Sequence, residues 1–226
     1  MAHGSYTVAI PSLDITYRSR NGAVQESLHV FIEAGLKYKC TMDPVFTGDQ
    51  QHVIQLFEMG FGTGLNALLT AKEALALKRK ISYTTIEPEP LEAEIVQQLK
   101  YEDSAGYLRK MHDAAWGVAI DLHPYFTFTK YRSTLAAFDI SFLADNFDKV
   151  GPVLDVVYID AFGPLTQPEL WSADSFSKIA SWMKPGAVLT TYCSKSVVRR
   201  TMMGVGLQVK KIPGPYGKRE MVRATK

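Results

Sequence analysis

A glycine-rich turn, Gly60–Gly64, is the first feature of the sequence that could hold a small-molecule ligand. It follows an apolar run, His52–Phe57, and precedes a stretch with helical spacing, Leu65–Leu77. Glycines between a strand and a helix let the backbone approach a ligand, because no Cβ atom stands in the way. The dinucleotide fingerprint would need its last glycine where Leu65 stands, and the lysine of a phosphate loop is absent.

Two acids beside the turn indicate which ligand it favours. Glu58 precedes the turn, where a carboxylate would repel a pyrophosphate at the helix N-terminus. Glu87 follows the predicted strand Ile81–Ile86 and could accept both hydroxyls of a ribose. S-adenosylmethionine carries an ammonium and a sulfonium but no phosphate. The pattern therefore predicts that this ligand binds outside the carboxyl ends of the strands.

A third acid, Asp160, follows the predicted strand Val153–Ile159 and should reach the same edge of the sheet. Methyl transfer to an amine depends largely on orientation, and a carboxylate there could hold the amine by its N–H and take up a proton. Phe162 could stack on a base or lie beside the methyl group. The alternative is that Asp160 is an ordinary strand-end cap.

Strands and helices alternate along most of the chain. This order predicts a mainly parallel sheet covered on both faces, with right-handed crossovers. A short turn, Pro213–Gly217, separates the last two strands, which should pair as an antiparallel hairpin. The remaining predicted strands are Phe126–Tyr131, Ala187–Tyr192, Leu207–Ile212 and Glu220–Ala224, and the remaining helices are Leu91–Leu99, Tyr107–Trp116, Ser172–Trp182 and Val197–Met203.

The N-terminal part reads differently. Strand-like pieces at Ser12–Tyr17 and Leu28–Phe31 flank Arg20-Asn21-Gly22, and Asn-Gly is a strong hairpin signal. We therefore expect residues 1–48 to form a β extension packed on a methyltransferase domain at 49–226, within a single domain overall.

The amino-acid composition is typical of a globular protein and excludes several other classes. The chain has 226 residues, 46% of them hydrophobic and 21% charged, which excludes disordered, collagen-like and coiled-coil chains. No apolar run approaches the roughly 20 residues of a membrane helix, and no secretory signal is evident. Two cysteines fit a reducing cytoplasm, and the five histidines lack ligand spacing, so we expect a cytoplasmic protein without a metal site.

The charge is distributed unevenly. From Lys195 to Lys226 there are nine basic residues and one acidic residue, whereas the preceding part carries 16 basic and 22 acidic residues. A basic C-terminal part on an acidic body suggests an edge that binds a polyanion. The alternative is a solvated basic surface that binds nothing.

Five motifs in this order resemble the MnmC-type methyltransferase family, over nearly the whole length from Asp14 to Arg223. The glycine turn alone is shared by all class I methyltransferases, whereas the later motifs are much more specific. The motifs are Phe57–Asn66 (FEMGFGTGLN), Asp160–Pro164 (DAFGP), Pro168–Trp171 (PELW), Val198–Arg200 (VRR) and Gly217–Met221 (GKREM).

The resemblance implies a Rossmann-like class I domain dependent on S-adenosyl-L-methionine. Members methylate the amine of 5-aminomethyl-2-thiouridine at the tRNA wobble position, giving 5-methylaminomethyl-2-thiouridine. In some relatives an FAD-dependent oxidase that makes the amine is fused to this domain. The sequence contains no second nucleotide fingerprint and is similar to the free-standing form, which implies a separate upstream oxidase.

The resemblance also implies roles for individual residues. Glu87 would hold the ribose, and Asp160 and Phe162 would lie at the reacting centre. The adenine contact is open between Thr134 and Asp139, since the family's Gly-Asp is replaced by Ser133-Thr134. The opening segment that folds over the cofactor is matched by Tyr17, Gln25 and Glu26. The residues expected around the methionine part and the turn are Glu58, Gly60, Phe61, Gly62, Gly64 and Asn66.

An RNA substrate would require phosphate contacts and aromatic platforms for splayed bases of the anticodon loop. Phe162 and Tyr216 are candidate platforms, although each could simply pack in the core or a loop. The candidate phosphate contacts are Lys195, Arg199, Arg200, Lys218 and Arg219. Two other hypotheses remain: a class I methyltransferase for a small-molecule or protein amine, and a non-catalytic RNA-binding module.

Overall fold

The computed structural model of the chain describes residues 9–10, 15–16, 22–42, 52–143 and 152–226. Eight strands form one mixed sheet, and two short strands pair with each other apart from it. The strands are β1 (Ala9–Ile10), β2 (Ile15–Thr16), β3 (Ile54–Met59), β4 (Ile81–Ile86), β5 (Ile120–His123), β6 (Phe126–Tyr131), β7 (Leu154–Ile159), β8 (Met183–Thr191), β9 (Gln208–Pro213) and β10 (Glu220–Thr225).

The centre of the sheet is parallel. Strands β6, β4, β3, β7 and β8 are neighbours in that order and run in one direction. Strand β5 lies antiparallel at one edge, and the β9–β10 hairpin extends the other edge antiparallel to β8. The mostly parallel sheet and its C-terminal antiparallel hairpin are therefore confirmed. Strand β5 was not predicted, since Asp121 and His123 interrupt its apolar pattern.

Helices cover both faces of this sheet. Two buried clusters, one around Phe57 and Trp182 and the other around Phe31 and Tyr83, form the core. The described helices are α1 (Ala23–Ser27), a π-helical segment (Leu28–Lys37), α2 (Tyr38–Met42), α3 (Leu65–Leu77), α4 (Ala93–Gln97), α5 (Tyr107–Asp113), α6 (Ala173–Trp182) and α7 (Ser196–Gly204), with short 3₁₀ helices at Ile140–Leu143 and Pro168–Trp171. No helix in these described ranges is long and apolar enough to cross a bilayer.

The strand predicted at Leu28–Phe31 is wrong, because helical structure continues without a break from residue 23 to residue 42. Val30, Phe31 and Ile32 are all buried there, and a helix buried on most faces has the same uninterrupted apolar run as a buried strand. Strands β1 and β2 do pair antiparallel, so the N-terminal β structure is present upstream of the predicted turn. Arg20 and Asn21 lie outside the described residues, and the division at residue 48 stays a prediction.

The N-terminal helical segment packs directly on the sheet. A Cβ atom at Gly35 would lie 3.0 Å from Tyr158 Cε1 and 3.1 Å from Thr190 Oγ1, so glycine permits this close approach. His29 Nε2 lies 2.9 Å from the carbonyl oxygen of Pro213, at the hairpin. Lys39 Nζ donates to the carbonyl oxygen of Gly186 at 3.0 Å. These contacts hold the helical segment against β7, β8 and the hairpin, and α1, which precedes it, brings Glu26 to a cavity at the carboxyl ends of the parallel strands.

Candidate active site

A cavity of about 610 Å³ opens at the carboxyl ends of β3, β4, β7 and β8. Residues 60–63 of the glycine turn follow β3, Glu87 follows β4, the Asp160–Gly163 loop follows β7, and Tyr192 follows β8. All of these residues line the cavity. Because these strands are parallel neighbours, they bring residues far apart in sequence to one edge of the sheet. The predicted position of the ligand site agrees with this arrangement.

The cavity wall is strongly acidic. Among its described lining residues, Lys218 is the only cationic side chain. The acidic lining residues are Glu26, Glu87, Asp160, Glu169 and Asp174. The wall therefore favours a ligand that carries positive charge and disfavours a pyrophosphate.

The glycine turn bends sharply under this wall. Gly60, Gly62 and Gly64 have φ values of 96°, 49° and 76°, in the left-handed region that favours glycine. A Cβ atom at Gly60 would also lie 3.1 Å from the carbonyl oxygen of Asp160. Within the turn, Phe61 packs against His112 at 4.8 Å and Phe128 at 5.4 Å between ring centroids, which fixes the turn against β6.

Beneath the wall, one amide joins two acids. Asn66 Nδ2 donates to Glu58 Oε1 at 2.8 Å and to Asp160 Oδ2 at 2.9 Å. Glu58 and Asn66 are each only 1% exposed, and neither they nor Gly64 belong to the cavity lining. Glu58 and Asn66 were expected around the methionine part of the cofactor, whereas the structure shows them behind the wall, where Asn66 links Glu58 to Asp160.

Glu87 lies at the cavity on the other side of the turn. Its Oε2 accepts from the backbone N–H of Gly62 and its Oε1 from that of Glu89, both at 3.0 Å. Burial raises the pKa of Glu87, and these two hydrogen bonds partly oppose that shift. The carboxylate thus fixes the turn while facing the cavity.

Three side chains hold the backbone after Asp160, and sequence reasoning missed two of them. The Tyr192 hydroxyl donates to the carbonyl oxygen of Ala161 at 2.8 Å. Trp171 Nε1 donates to the carbonyl oxygen of Phe162 at 2.8 Å, and the Phe162 N–H donates to Gln167 Oε1 at 3.1 Å. Trp171 belongs to the Pro168–Trp171 motif found in the sequence, but no local pattern indicates a long-range partner such as Tyr192.

The other predicted residues divide between the cavity and the surface. Thr134 and Phe162 line the cavity, whereas Asp139 is exposed and does not. Glu26 also lines it, Gln25 is exposed, and Tyr17 lies outside the described residues.

Of the candidate RNA contacts, most lie at the surface and one lies at the cavity. Lys195, Arg200 and Arg219 are exposed, and Arg199 is half-buried and donates to the carbonyl oxygen of Ser194 at 3.2 Å. Lys218 instead reaches the cavity, where its ammonium pairs with Glu26. Tyr216 is 90% exposed at the hairpin turn. The described residues include no group of three or more His, Cys, Asp or Glu side chains that could hold a metal ion.

Comparisons with known proteins agree with this geometry. Residues 117–226 match the family of S-adenosyl-L-methionine-dependent methyltransferases. The bifunctional protein MnmC of tRNA 5-methylaminomethyl-2-thiouridine biosynthesis from Cupriavidus necator is 31% identical over 95% of this chain and 32% of its own length. The corresponding protein from Leptospira interrogans is 29% identical over 92% of this chain and 32% of its own length. The chain thus spans about a third of the length of the curated relatives it matches.

A solved structure supports the fold assignment. The crystal structure of MnmC2 from Aquifex aeolicus superposes with a TM-score of 0.71 at 20% identity, covering 98% of this chain and 67% of that one. The Rossmann-like class I methyltransferase fold expected from the sequence is therefore confirmed. The chain is similar to MnmC proteins over most of its length, and its residues 117–226 match the model of the S-adenosyl-L-methionine-dependent methyltransferase family.

Proposed function

We propose that the chain is an S-adenosyl-L-methionine-dependent N-methyltransferase that acts on 5-aminomethyl-2-thiouridine at the tRNA wobble position. The product would be 5-methylaminomethyl-2-thiouridine. The acidic cavity at the carboxyl ends of four parallel strands carries this proposal, in a chain related to MnmC proteins over 95% of its length.

The cavity residues fit the cofactor. Gly60 and Gly62 would lie along its methionine part without a Cβ atom at the wall, and the acidic lining suits its ammonium and sulfonium. Glu87 would accept from the ribose hydroxyls. Of the two candidates for the adenine contact, Thr134 lines the cavity and Asp139 does not, which favours Thr134. When bound, the cofactor supplies a methyl group activated by the positive sulfur.

The chain's own residues orient the acceptor. The Asp160 carboxylate would accept an N–H of the amine and so direct the nitrogen lone pair toward the methyl group. Methylation would leave the acceptor nitrogen positively charged, and Asp160 would be the nearby base for the proton that the nitrogen must then lose. Phe162 lines the same cavity and would flank the uracil ring.

The tRNA would lie across the basic edge. Lys195, Arg200 and Arg219 are exposed and can contact backbone phosphates, while Tyr216 offers an exposed ring for stacking. An FAD-dependent oxidase acting upstream would supply the amine. The reaction would take place in the cytoplasm, where tRNA is modified.

Cofactor binding tests the first half of this proposal. We expect calorimetry to show one S-adenosyl-L-methionine site, and Gly62→Val to weaken binding roughly tenfold or more, since valine is strained at a φ of 49°. Gly204→Val is the matched control, because a side chain at Gly204 meets no atom within 4 Å. Equal affinity of wild type and Gly62→Val, or binding of NAD in place of S-adenosyl-L-methionine, would contradict the assignment.

A further inference from the structure

Lys218 occupies an unusual position for a residue of the basic C-terminal part. Its side chain reaches from the β9–β10 turn into the acidic cavity, where it is the only cation among the described lining residues. The ammonium donates to the Glu26 carboxylate of α1, and Nζ lies 4.7 Å from the centroid of the Tyr192 ring. The exposed fraction of the Glu26 side chain is only 10% and that of Lys218 is 35%, so the pair lies largely inside the protein.

This pair adjoins the reacting loop. Tyr192, whose ring contacts the ammonium, donates its hydroxyl to Ala161, the residue after Asp160. The titratable groups that surround Lys218 are Glu26 on α1, Tyr192 and Cys193 after β8, and Asp160 across the cavity. A positive charge therefore lies next to the place where the acceptor amine must react.

The acidic cavity creates a chemical conflict. An alkyl amine has a pKa near 10 in water and is mostly protonated at neutral pH. Nearby carboxylates favour the protonated form still further. A protonated amine has no lone pair with which to attack a methyl group. The same acidic wall that attracts the cofactor would thus make the acceptor unreactive.

We propose that Lys218 is a positioning residue that keeps the acceptor amine uncharged, by neutralising Glu26 and by placing a cation beside the reacting loop. This inference rests on the proposed function, because it assumes an amine acceptor in the cavity. It assigns Lys218 to the chemistry of the cavity instead of to phosphate binding. Glu26, which the N-terminal helix brings to the wall, becomes the partner that holds the ammonium in place.

The pH dependence of single-turnover methyl transfer tests this role. The acceptor would be tRNA carrying the wobble 5-aminomethyl group, with saturating S-adenosyl-L-methionine. In Lys218→Met, an uncompensated Glu26 should stabilise the protonated amine, so we expect the acidic limb of the rate profile to move up by about one pH unit. In Glu26→Gln the Lys218 ammonium has lost its partner and should disfavour the protonated amine, so the acidic limb of the rate profile should move to lower pH by a similar amount. The double variant, in which both charges are absent, should return close to the wild-type profile.

Two controls separate this role from others. Lys210→Met removes an exposed charge from the same hairpin and should leave the limb in place. Lys218→Arg keeps the charge and should restore most of the wild-type profile. If Lys218→Met lowers the rate by the same factor at every pH, or only weakens tRNA binding in a salt-dependent way, Lys218 does not act on the amine. Absence of methyl transfer by the wild type at any pH would instead overturn the proposed function itself.

Discussion

Asn66 shows how a single side chain can make an acidic site stable. Its amide nitrogen donates to both Glu58 and Asp160, so two carboxylates at the ends of neighbouring strands share one donor. Buried carboxylates need such partners, because burial without hydrogen bonds is costly. The glycine motif could be recognised in the sequence because Asn66 and Glu58 lie close to it, but the sharing with Asp160 is a contact across 94 residues.

Glu87 should make cofactor binding depend on pH. Burial raises its pKa, so it becomes protonated at a higher pH than an exposed glutamate, and a neutral carboxyl is a weaker acceptor for ribose hydroxyls. We expect affinity for S-adenosyl-L-methionine to fall as the pH falls through the pKa of Glu87. Glu87→Gln should bind roughly tenfold more weakly at neutral pH and lose this part of the pH dependence, as measured by calorimetry across the pH range.

The free energy of unfolding should depend on pH in the opposite direction to cofactor affinity. Because the pKa of Glu87 is raised in the folded state, its contribution to the free energy of unfolding is greatest below the unfolded pKa and is lost as the pH rises through the folded pKa. Denaturant unfolding of wild type and Glu87→Gln should therefore show wild type losing stability relative to the variant over that window. A constant difference at all pH values would show that Glu87 is not perturbed in this way.

At the scale of elements, the loop after β7 depends on its neighbours for its shape. Tyr192, Trp171 and Gln167 each bond to the backbone of Ala161 or Phe162. Tyr192 directly follows β8, Gln167 directly precedes the 3₁₀ helix Pro168–Trp171, and Trp171 ends that helix, so two neighbouring elements fix the backbone that carries Asp160. Reacting groups must be held closely in place, because small displacements reduce the rate strongly.

Tyr192→Phe should loosen this loop without disturbing the cofactor site. The ring and its contact with Lys218 remain, but the hydrogen bond to Ala161 is lost, which costs about 1 kcal/mol of stability. We expect the rate of methyl transfer to fall roughly tenfold, while affinity for S-adenosyl-L-methionine stays within about twofold. Tyr216→Phe, at an exposed tyrosine of the hairpin turn, is the control. Equal rates for Tyr192→Phe and Tyr216→Phe would rule out a positioning role for the hydroxyl.

The elements that sequence predicts well are those whose signals are local. Helix Leu65–Leu77 and strands Ile81–Ile86 and Phe126–Tyr131 have the predicted bounds, because glycine turns and apolar periodicity mark them. The segment around Leu28–Phe31 could not be assigned in this way, since a helix buried on most faces has the same uninterrupted apolar run as a buried strand. The position of Lys218 was missed for the same reason: the GKREM motif shows a basic residue but not its partner Glu26.

For the molecule as a whole, the distribution of charge assigns cofactor binding and RNA binding to different regions. The interior of the cavity is acidic and suits a cationic cofactor, whereas the surface of the C-terminal part is basic and suits an RNA backbone. Helix α7 begins shortly after β8 ends, so the exposed Lys195 just before the helix and Arg200 in its first turns lie on the cavity side of the sheet. Lys78 and Lys80 precede β4 and lie at the opposite edge.

This arrangement predicts how salt should affect tRNA binding. The double variant Lys195→Ala/Arg200→Ala should bind tRNA more weakly, and the slope of log affinity against log salt should fall by about 1.5 to 2. The charge-matched variant Lys78→Ala/Lys80→Ala should leave the slope nearly unchanged, because its charges are at the far edge. Filter binding or fluorescence anisotropy over a salt series measures both. Equal slopes for the two double variants would show that tRNA binding is a matter of net charge and not of this surface.

The nucleoside composition of tRNA tests the central claim most directly. Undermethylated tRNA carrying 5-aminomethyl-2-thiouridine would be incubated with the protein and S-adenosyl-L-methionine, digested, and analysed by mass spectrometry. We predict that this nucleoside gains the mass of one methylene unit and that Asp160→Ala abolishes most of the gain. The contradicting result is an unchanged nucleoside together with methylation of a small amine. If that methylation activity persists after RNase treatment, the wobble uridine is not the substrate.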